Sequence, residues 1–397
     1  MKLRKIVEKF IEGVLFTSST VTTLTVLFIV VFLFKSGIGL FNDSPVDEHY
    51  ALALNKNNPV QKLSAVQVKE IFNRDITNWE EVGGEDAPIE IFTLDDIDRY
   101  FSEEELGAEF ENVPQLVNKF ISENKNVIAF FNKQFYLTDF QGRLLSIPNI
   151  SLSDFFGGTL WYPTITPAAQ FGVLPLILGT LWVAFFAILF ALPIGLITAI
   201  YLAEVASEKV RSVLKPLIEL LASIPSVVYG FFGLVILVPF IQSTFNLPVG
   251  ETALAGSIIL AIMALPTIIT ISEDALRTTP QTLKEASLAL GASRWQSTLR
   301  IVIPYAKSGI MASFILGIGR AIGETMAVLM VTGNAAVIPR TLLEPVRTIP
   351  ATIAAELGEA PFGGTHFKAL FALGIILFFI TFIFNSLVEL VKAKEHK

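Results

Sequence analysis

The stretch that decides the fold is residues 277–304, RTTPQTLKEASLALGASRWQSTLRIVIP. Thr279 is a good N-cap, and Pro280 suits the first helical position, where its missing N–H would lack a partner anyway. Leu283, Ala286 and Leu290 then recur at helical spacing on one face. Gly291 is placed to end that helix in the left-handed conformation. A second helical stretch runs through Trp295 and Leu299 until Pro304 interrupts it. The expectation is a short helix, a glycine turn and another short helix. They lie between two long apolar runs, Leu254 to Ser272 and Gly309 to Thr332.

Outward from this loop the apolar runs continue. A bilayer core about 30 Å thick needs about 20 apolar residues in a helix. Val14 to Phe34, Gly172 to Ala203, Leu217 to Ile241 and Ala369 to Val391 also qualify, which makes six expected spans. Val14 to Phe34 is too long for the apolar core of a signal peptide, and no small-residue cleavage pattern follows it. Composition agrees. Of 397 residues, 52% are hydrophobic and 16% charged, against about 25% charged in a soluble domain, and the mean hydropathy is +0.61. Cysteine is absent, which excludes disulfides, thiolate chemistry and Cys-based zinc sites. His49, His366 and His396 are scattered and read as ordinary loop or tail residues. No catalytic residue, cofactor, metal or nucleic-acid partner is expected.

Charge sidedness sets the orientation. Lys2, Arg4, Lys5 and Lys9 precede the first run. Lys209, Arg211 and Lys215 lie between the second and third. Arg277, Lys284, Arg294, Arg300 and Lys307 lie in the loop after the fourth, and Lys392, Lys394 and Lys397 in the tail. With six spans these four segments share one side, which the rule makes cytoplasmic. The 242–252 loop has no Lys or Arg, and the last outer loop has only Arg340 and Arg347. Both termini are therefore expected inside, and residues 36–165 outside. Residues 36–172 carry 21 acidic and 9 basic residues, a net of −12, against +5 for the rest. That split points to two different environments.

Arg320 and Glu324 sit near the middle of the fifth apolar run, in GIGRAIGET, residues 317–325. At a spacing of four they would share a helix face and could pair. An ionised side chain at mid-bilayer costs about 2.5–3.5 kcal/mol or more, so such residues face a bundle interior or a wet path. The functional reading makes Arg320 a transient contact for an anion, with Glu324 holding it and Thr325 beside the path. A structural ion pair locking helices is the alternative.

These segments resemble a known family. Glu285-Ala286-Ser287, then Gly291, then Ile301-x-Ile303-Pro304 resembles the EAA loop of ABC importer permeases. Ser287 replaces the usual Ala, and Ile the usual Leu. The resemblance implies that Glu285, Ala286, Ser287, Gly291 and Pro304 form a coupling loop, within 273–308, that docks on a cytoplasmic ATPase. No Walker A pattern occurs in the chain, so ATP hydrolysis is expected in a separate subunit. Residues 224–233, IPSVVYGFFG, residues 319–327, GRAIGETMA, and the segments at Gly333-Asn334-Ala335 and Leu343 to Ile349 resemble the phosphate permeases of the PstC family. This likeness covers roughly 168–397. It implies a type I ABC importer permease of six transmembrane helices in a bacterial inner membrane, translocating inorganic phosphate. Its implied partners are a PstB-like ATPase dimer, a PstA-like second permease and a PstS-like periplasmic phosphate-binding protein. Arg320 alone does not separate phosphate from phosphonate, sulfate or molybdate. A membrane-bound sensor or docking scaffold is a reading from another class.

The chain divides by sequence into 1–35, with the cytoplasmic N-terminus and first span, 36–165, an α+β extracytoplasmic insertion, and 166–397, the permease core. In the insertion, Leu63-Ser64 precedes a helical pattern from Ala65 to Phe72, while Ile89 to Phe92 and Val127 to Phe131 read as strands. Residues 71–84, IFNRDITNWEEVGG, resemble a segment of PstS-type receptors, as does the apolar Ala51 to Leu54 stretch. The family's Arg and Ser-Gly-Thr turn after the next strand is replaced by Thr93-Leu94-Asp95-Asp96-Ile97-Asp98, and Glu103-Glu104-Glu105 follow. Carboxylates there repel phosphate. The insertion is therefore expected to be a degenerate single lobe, serving as a docking surface or as a stabilising cap.

Overall fold

The computed structural model describes residues 2–107 and 110–395, without the side chains at 2, 3, 5–8 and 387–395. His396 and the side chains of Lys2, Lys5, Lys392, Lys394 and Lys397 lie outside the described residues. The chain forms two compact units. One comprises Met1–Phe34, Leu174–Ala360 and Leu370–Lys397, and the other Lys35–Val173 and Pro361–Ala369.

The first unit is helical. Among the described residues five helices are long and apolar enough to cross a membrane: Lys9–Asn42, Leu174–Val205, Ser226–Phe245, Ala253–Arg277 and Thr365–Ser386. A sixth span is the pair Arg294–Tyr305 and Lys307–Gly323, bent by 69°. Large apolar side chains such as Phe16, Ile197 and Phe240 point outward. That arrangement is stable only where the solvent is lipid, and a helix suits it because its backbone groups are satisfied internally.

Ala253–Arg277 is the axis of this unit. Ile259, Ala264 and Ile268 along it pack with Val183 and Ala187 of Leu174–Ile200 and with Ala321 of Lys307–Gly323. Small residues let the axes approach. A Cβ added to Gly309 would lie 2.3 Å from the Ala275 Cβ, so only glycine fits that crossing. Four residues along, Ser272 and Ser313, both fully buried, share a hydrogen bond of 2.7 Å. Such interhelical bonds contribute about 0.6 kcal/mol each in membranes.

Two of the expected spans are interrupted. The run from Leu217 to Ile241 is not one helix. A helix Glu208–Ser223 ends first, Ile224 is extended with φ −68° and ψ 128°, and Pro225 caps a new helix from Ser226. Proline clashes with a helical residue before it, so the break falls there. The run from Gly309 to Thr332 stops at Gly323. Glu324 is extended with ψ 134°, and a short helix Met326–Val331 follows.

The second unit is α+β. Strands β1 (Tyr50–Leu54), β2 (Glu90–Thr93), β3 (Val127–Asn132) and β4 (Arg143–Leu144) form one sheet in the order β2-β3-β1-β4. β2 runs parallel to β3, and β1 antiparallel to β3 and β4. Alternation along β1 covers both faces. Leu52 and Leu54 pack with Val68 and Ile71 of the helix Ala65–Phe72. Ala51 and Ala53 pack with Val117 and Ile121 of the helix Val113–Glu123. Ser64 caps the first of these helices in a reciprocal box with Gln67. Lys368 binds both carboxylate oxygens of Asp43 at 2.7 and 2.8 Å, which ties Pro361–Ala369 into this unit.

Candidate functional site

The loop after the Ala253–Arg277 helix is built from Gln281–Ala289, a turn at Gly291, Arg294–Ser297, a wide turn Thr298–Val302, and Ile303–Tyr305. Gly291 has φ +86°, and nothing lies within 4 Å of where its Cβ would be. The residue is required by backbone conformation, not by space. Thr279 does not cap the first helix. Pro280 takes the N-cap with ψ 133°, and the Thr279 hydroxyl is buried without a partner. The helix therefore starts one residue late: the φ of Pro280, −56°, is compatible with a helix, but its extended ψ places it before the first turn.

Four of the five loop residues singled out by sequence, Glu285, Ala286, Gly291 and Pro304, are exposed. Ser287 is buried, and its hydroxyl lies 2.6 Å from that of Ser297. The replacement of alanine by serine thus ties the two loop helices together across the turn. Leu283, Leu288, Leu290, Trp295 and Leu299 are exposed, Leu290 by 90%. An apolar set of this kind rimmed by polar residues is a candidate contact surface.

One ion pair anchors the loop to a span, and a second group of charges braces the end of the helix that leads into it. Lys284 Nζ lies 2.6 Å from Glu204 Oε1, at the end of the Leu174–Val205 span, with side chains only 17% and 14% exposed. Glu273 is fully buried and accepts from Arg211 at 2.8 Å and Lys215 at 2.6 Å, both on the helix Glu208–Ser223. Burial lowers the Lys215 pKa, but hydrogen bonds and charge from Asp274 and Glu273 outweigh it. The net shift is upward, so the ammonium is retained. With its charge paired, Glu273 lets the helix run five residues past the expected end at Ser272.

Arg320 lies in the last turn of Lys307–Gly323 and is half-buried. Glu324 is past the helix end, and no ion pair joins the two. The pairing expected from their spacing fails because Gly323 ends the helix before the fourth residue is reached. Glu324 Oε1 instead accepts from Ala327 N at 3.4 Å, in the first turn of Met326–Val331. Thr325 lines a cavity of about 460 Å³ together with Gly323, Pro350, Ile353, Ala354 and Leu357. Tyr229, whose hydroxyl donates to Leu221 O at 2.8 Å, lies within electrostatic reach of Arg320. Gly230 beside it packs on Ala327 and Met330.

In the second unit, the segment after β2 is a tight turn, Leu94–Arg99. Thr93 donates to Asp96 at 3.3 Å, and Arg99 pairs with Asp96 at 3.1 Å. The Thr93 hydroxyl and the Arg99 Nε of this turn are thus engaged by its own carboxylate.

A bundle of apolar helices with an exposed helix–turn–helix loop and a half-buried arginine at a helix break defines a membrane transport component. Residues 191–397 match the family described as binding-protein-dependent transport system inner membrane component. The chain belongs to that family, a class of transport components and not of enzymes. Residues 34–143 match a PBP superfamily domain. The chain is 38% identical over 249 residues to the probable ABC transporter permease protein YqgH of Bacillus subtilis, covering 63% of this chain and 80% of that one. It is 42% identical over 242 residues to the phosphate transport system permease protein PstC of Mesorhizobium japonicum, covering 56% and 73%. It is 37% identical over 267 residues to PstC of Pasteurella multocida, covering 62% and 83%.

Sequence reasoning did not find Lys284, Glu204, Ser297, Glu273 or the Arg347–Glu356 pair. Their partners lie from nine to eighty residues apart, and no local period relates them.

Proposed function

We propose that this chain is the permease subunit of an ATP-driven importer that carries inorganic phosphate into the cytoplasm. The observation that carries the reading is the identity of 37–42% to PstC relatives, over 73–83% of their length. The geometry supports it with Arg320, a half-buried cation free of Glu324, at a helix break beside a cavity. Arg320 offers the transient anion contact, Thr325 lines the path, and Glu324 fixes the break by capping the helix beyond it.

The exposed apolar face around Leu283, Leu290 and Trp295 is the docking surface for a cytoplasmic ATPase dimer. Glu285, Ala286, Gly291 and Pro304 shape that surface, and Ser287 makes its two helices move as one piece. A second, PstA-like permease completes the path, and a PstS-like receptor delivers phosphate from outside. Both termini lie in the cytoplasm and the insertion outside an inner membrane, as the Lys and Arg distribution requires. The insertion is a degenerate receptor lobe that contacts the receptor or a neighbouring subunit. The turn Thr93–Arg99 supports this, since Asp96 holds a carboxylate against Thr93 and Arg99 where an anion would have to bind.

The test is reconstitution of the complete importer in vesicles. Phosphate should stimulate ATP hydrolysis and accumulate inside, and sulfate should do neither. Equal stimulation by sulfate would assign the chain to another oxyanion. Failure of the chain to copurify with any ATPase subunit would favour a scaffold.

A further inference from the structure

We propose that Arg347 is a second oxyanion-binding residue of this permease, one that releases the Glu356 carboxylate to take a tetrahedral anion. The inference rests on the anion-import reading above.

The backbone at Arg347 is fixed. Val346 N donates to Thr332 O at 2.9 Å and Ile349 N donates to Thr180 Oγ1 at 2.9 Å. The Arg347 carbonyl lies so close to Gly179 that a Cβ there would sit 2.3 Å from it. What remains adjustable is the side chain. Arg347 Nη2 contacts Glu356 Oε1 at 2.6 Å, with the side chains 19% and 12% exposed. The Nε of the same guanidinium is buried and has no hydrogen-bond partner among the described residues.

Nε–H and Nη2–H form one edge of the guanidinium, the edge that grips two oxygens of a phosphate or carboxylate at once. Glu356 occupies half of that edge and leaves the other half unsatisfied, which is unfavourable for a buried donor. A tetrahedral oxyanion can take both donors. Glu356 therefore acts as a competing stand-in and not as a full partner.

The location fits a path. Glu356 ends the helix Ile349–Glu356. It lies three residues beyond Ile353 and one before Leu357, and both line the cavity that also holds Gly323 and Thr325 at the Arg320 helix break. Residues three apart are neighbours on a helix surface, so Glu356 lies one turn along from Ile353 on the helix that lines that cavity. Arg320 itself lies in the last helical turn before that break.

The two halves of the pair give effects of opposite sign, which a purely structural salt bridge does not. The complex of permease and ATPase, without receptor, is titrated with inorganic phosphate in dodecyl maltoside, which contains no phosphorus, and followed by 31P NMR. Arg347→Gln should weaken binding about tenfold or more, the loss of a charge-assisted bidentate contact. Arg347→Lys, which keeps charge but not the fork, should weaken it severalfold. Glu356→Gln should tighten binding, because the competitor loses its charge. Equal losses from Arg347→Gln and Glu356→Gln, restored by the exchange Arg347→Glu with Glu356→Arg, would overturn the proposal. So would unchanged binding in Arg347→Lys. A lipid phosphate could use the same chemistry, so short-chain phosphatidylglycerol is titrated separately. Arg347-dependent binding of that lipid without Arg347-dependent binding of inorganic phosphate would also overturn it. Phosphate uptake by the unaltered complete importer is measured in parallel, so loss of the general reading is distinguishable from loss of this one.

Discussion

Lys284→Met is the perturbation that best isolates the coupling step. Lys284 lies on the first loop helix and reaches Glu204 at the end of a span eighty positions earlier, 2.6 Å away. Two unit charges 4 Å apart attract by about 4 kcal/mol at an effective dielectric of 20, and this pair is closer. Desolvation offsets much of that attraction. Removing one member of a fully buried pair typically costs about 3–5 kcal/mol, because the remaining charge stays unpaired. Residual exposure of 17% and 14% lets water relieve part of this, leaving about 2 kcal/mol. If the loop passes its motion to the span through this contact, the loss appears in transport and not in docking. Phosphate uptake should fall about thirtyfold, while ATP hydrolysis by the same vesicles falls far less. The assay is uptake and hydrolysis measured together for Lys284→Met, Glu204→Gln and the double variant. The double variant should be no worse than the poorer single one, a coupling of about 1–2 kcal/mol. Additive effects within about 0.5 kcal/mol, or hydrolysis and uptake falling in step, would refute the reasoning.

Arg320→Gln should abolish phosphate uptake and leave assembly intact, checked by copurification of the ATPase and by transport; near-normal uptake would remove Arg320 from the path. Gly291→Ala forces a side chain to φ +86° with no steric obstacle, so it should cost about 1 kcal/mol, and Gly291→Asn should be tolerated better; weakened ATPase binding by the complex is the readout. Glu273→Ala removes the buried carboxylate shared by Arg211 and Lys215 and leaves Lys215 only the exposed Asp274, and should cost about 3 kcal/mol, seen as a lower Tm in detergent. The upward shift at Lys215 means that its contribution is complete below its ordinary value of 10.5 and is lost as pH rises through the raised folded value. Stability attributable to this anchor should therefore be flat from pH 7 to 10; a decline already between pH 7 and 9 would mean that the ammonium is not held.

What the sequence carried and what it did not divide along one physical line. Features set by neighbours in the chain were legible. A lipid-soluble helix declares itself by the length of its apolar run, and Gly291 and the helix after Ser64 follow from rules that act over three or four residues. The strands Glu90–Thr93 and Val127–Asn132 were visible because their apolar residues have nowhere else to go. The same local logic failed at Glu324. Its spacing from Arg320 implies a shared face only while the helix continues, and Gly323 ended it. Proline at 225 gave a warning that a count of apolar residues could not weigh, since Leu217 to Ile241 is apolar on both sides of the break. The ion pairs were out of reach for a different reason. Lys284 with Glu204, and Glu273 with Arg211, are brought together by packing around Ala253–Arg277, and a charge near a span end carries no mark of which partner the bundle will supply. Of these, Lys284 with Glu204 joins the loop to a span, and Glu273 with Arg211 braces the helix that leads into it. Under the proposed function, the part that sequence reads least well is therefore the link between two parts that it reads well. The double variant of Lys284 and Glu204 addresses that gap directly, because its coupling energy exists only if the contact does.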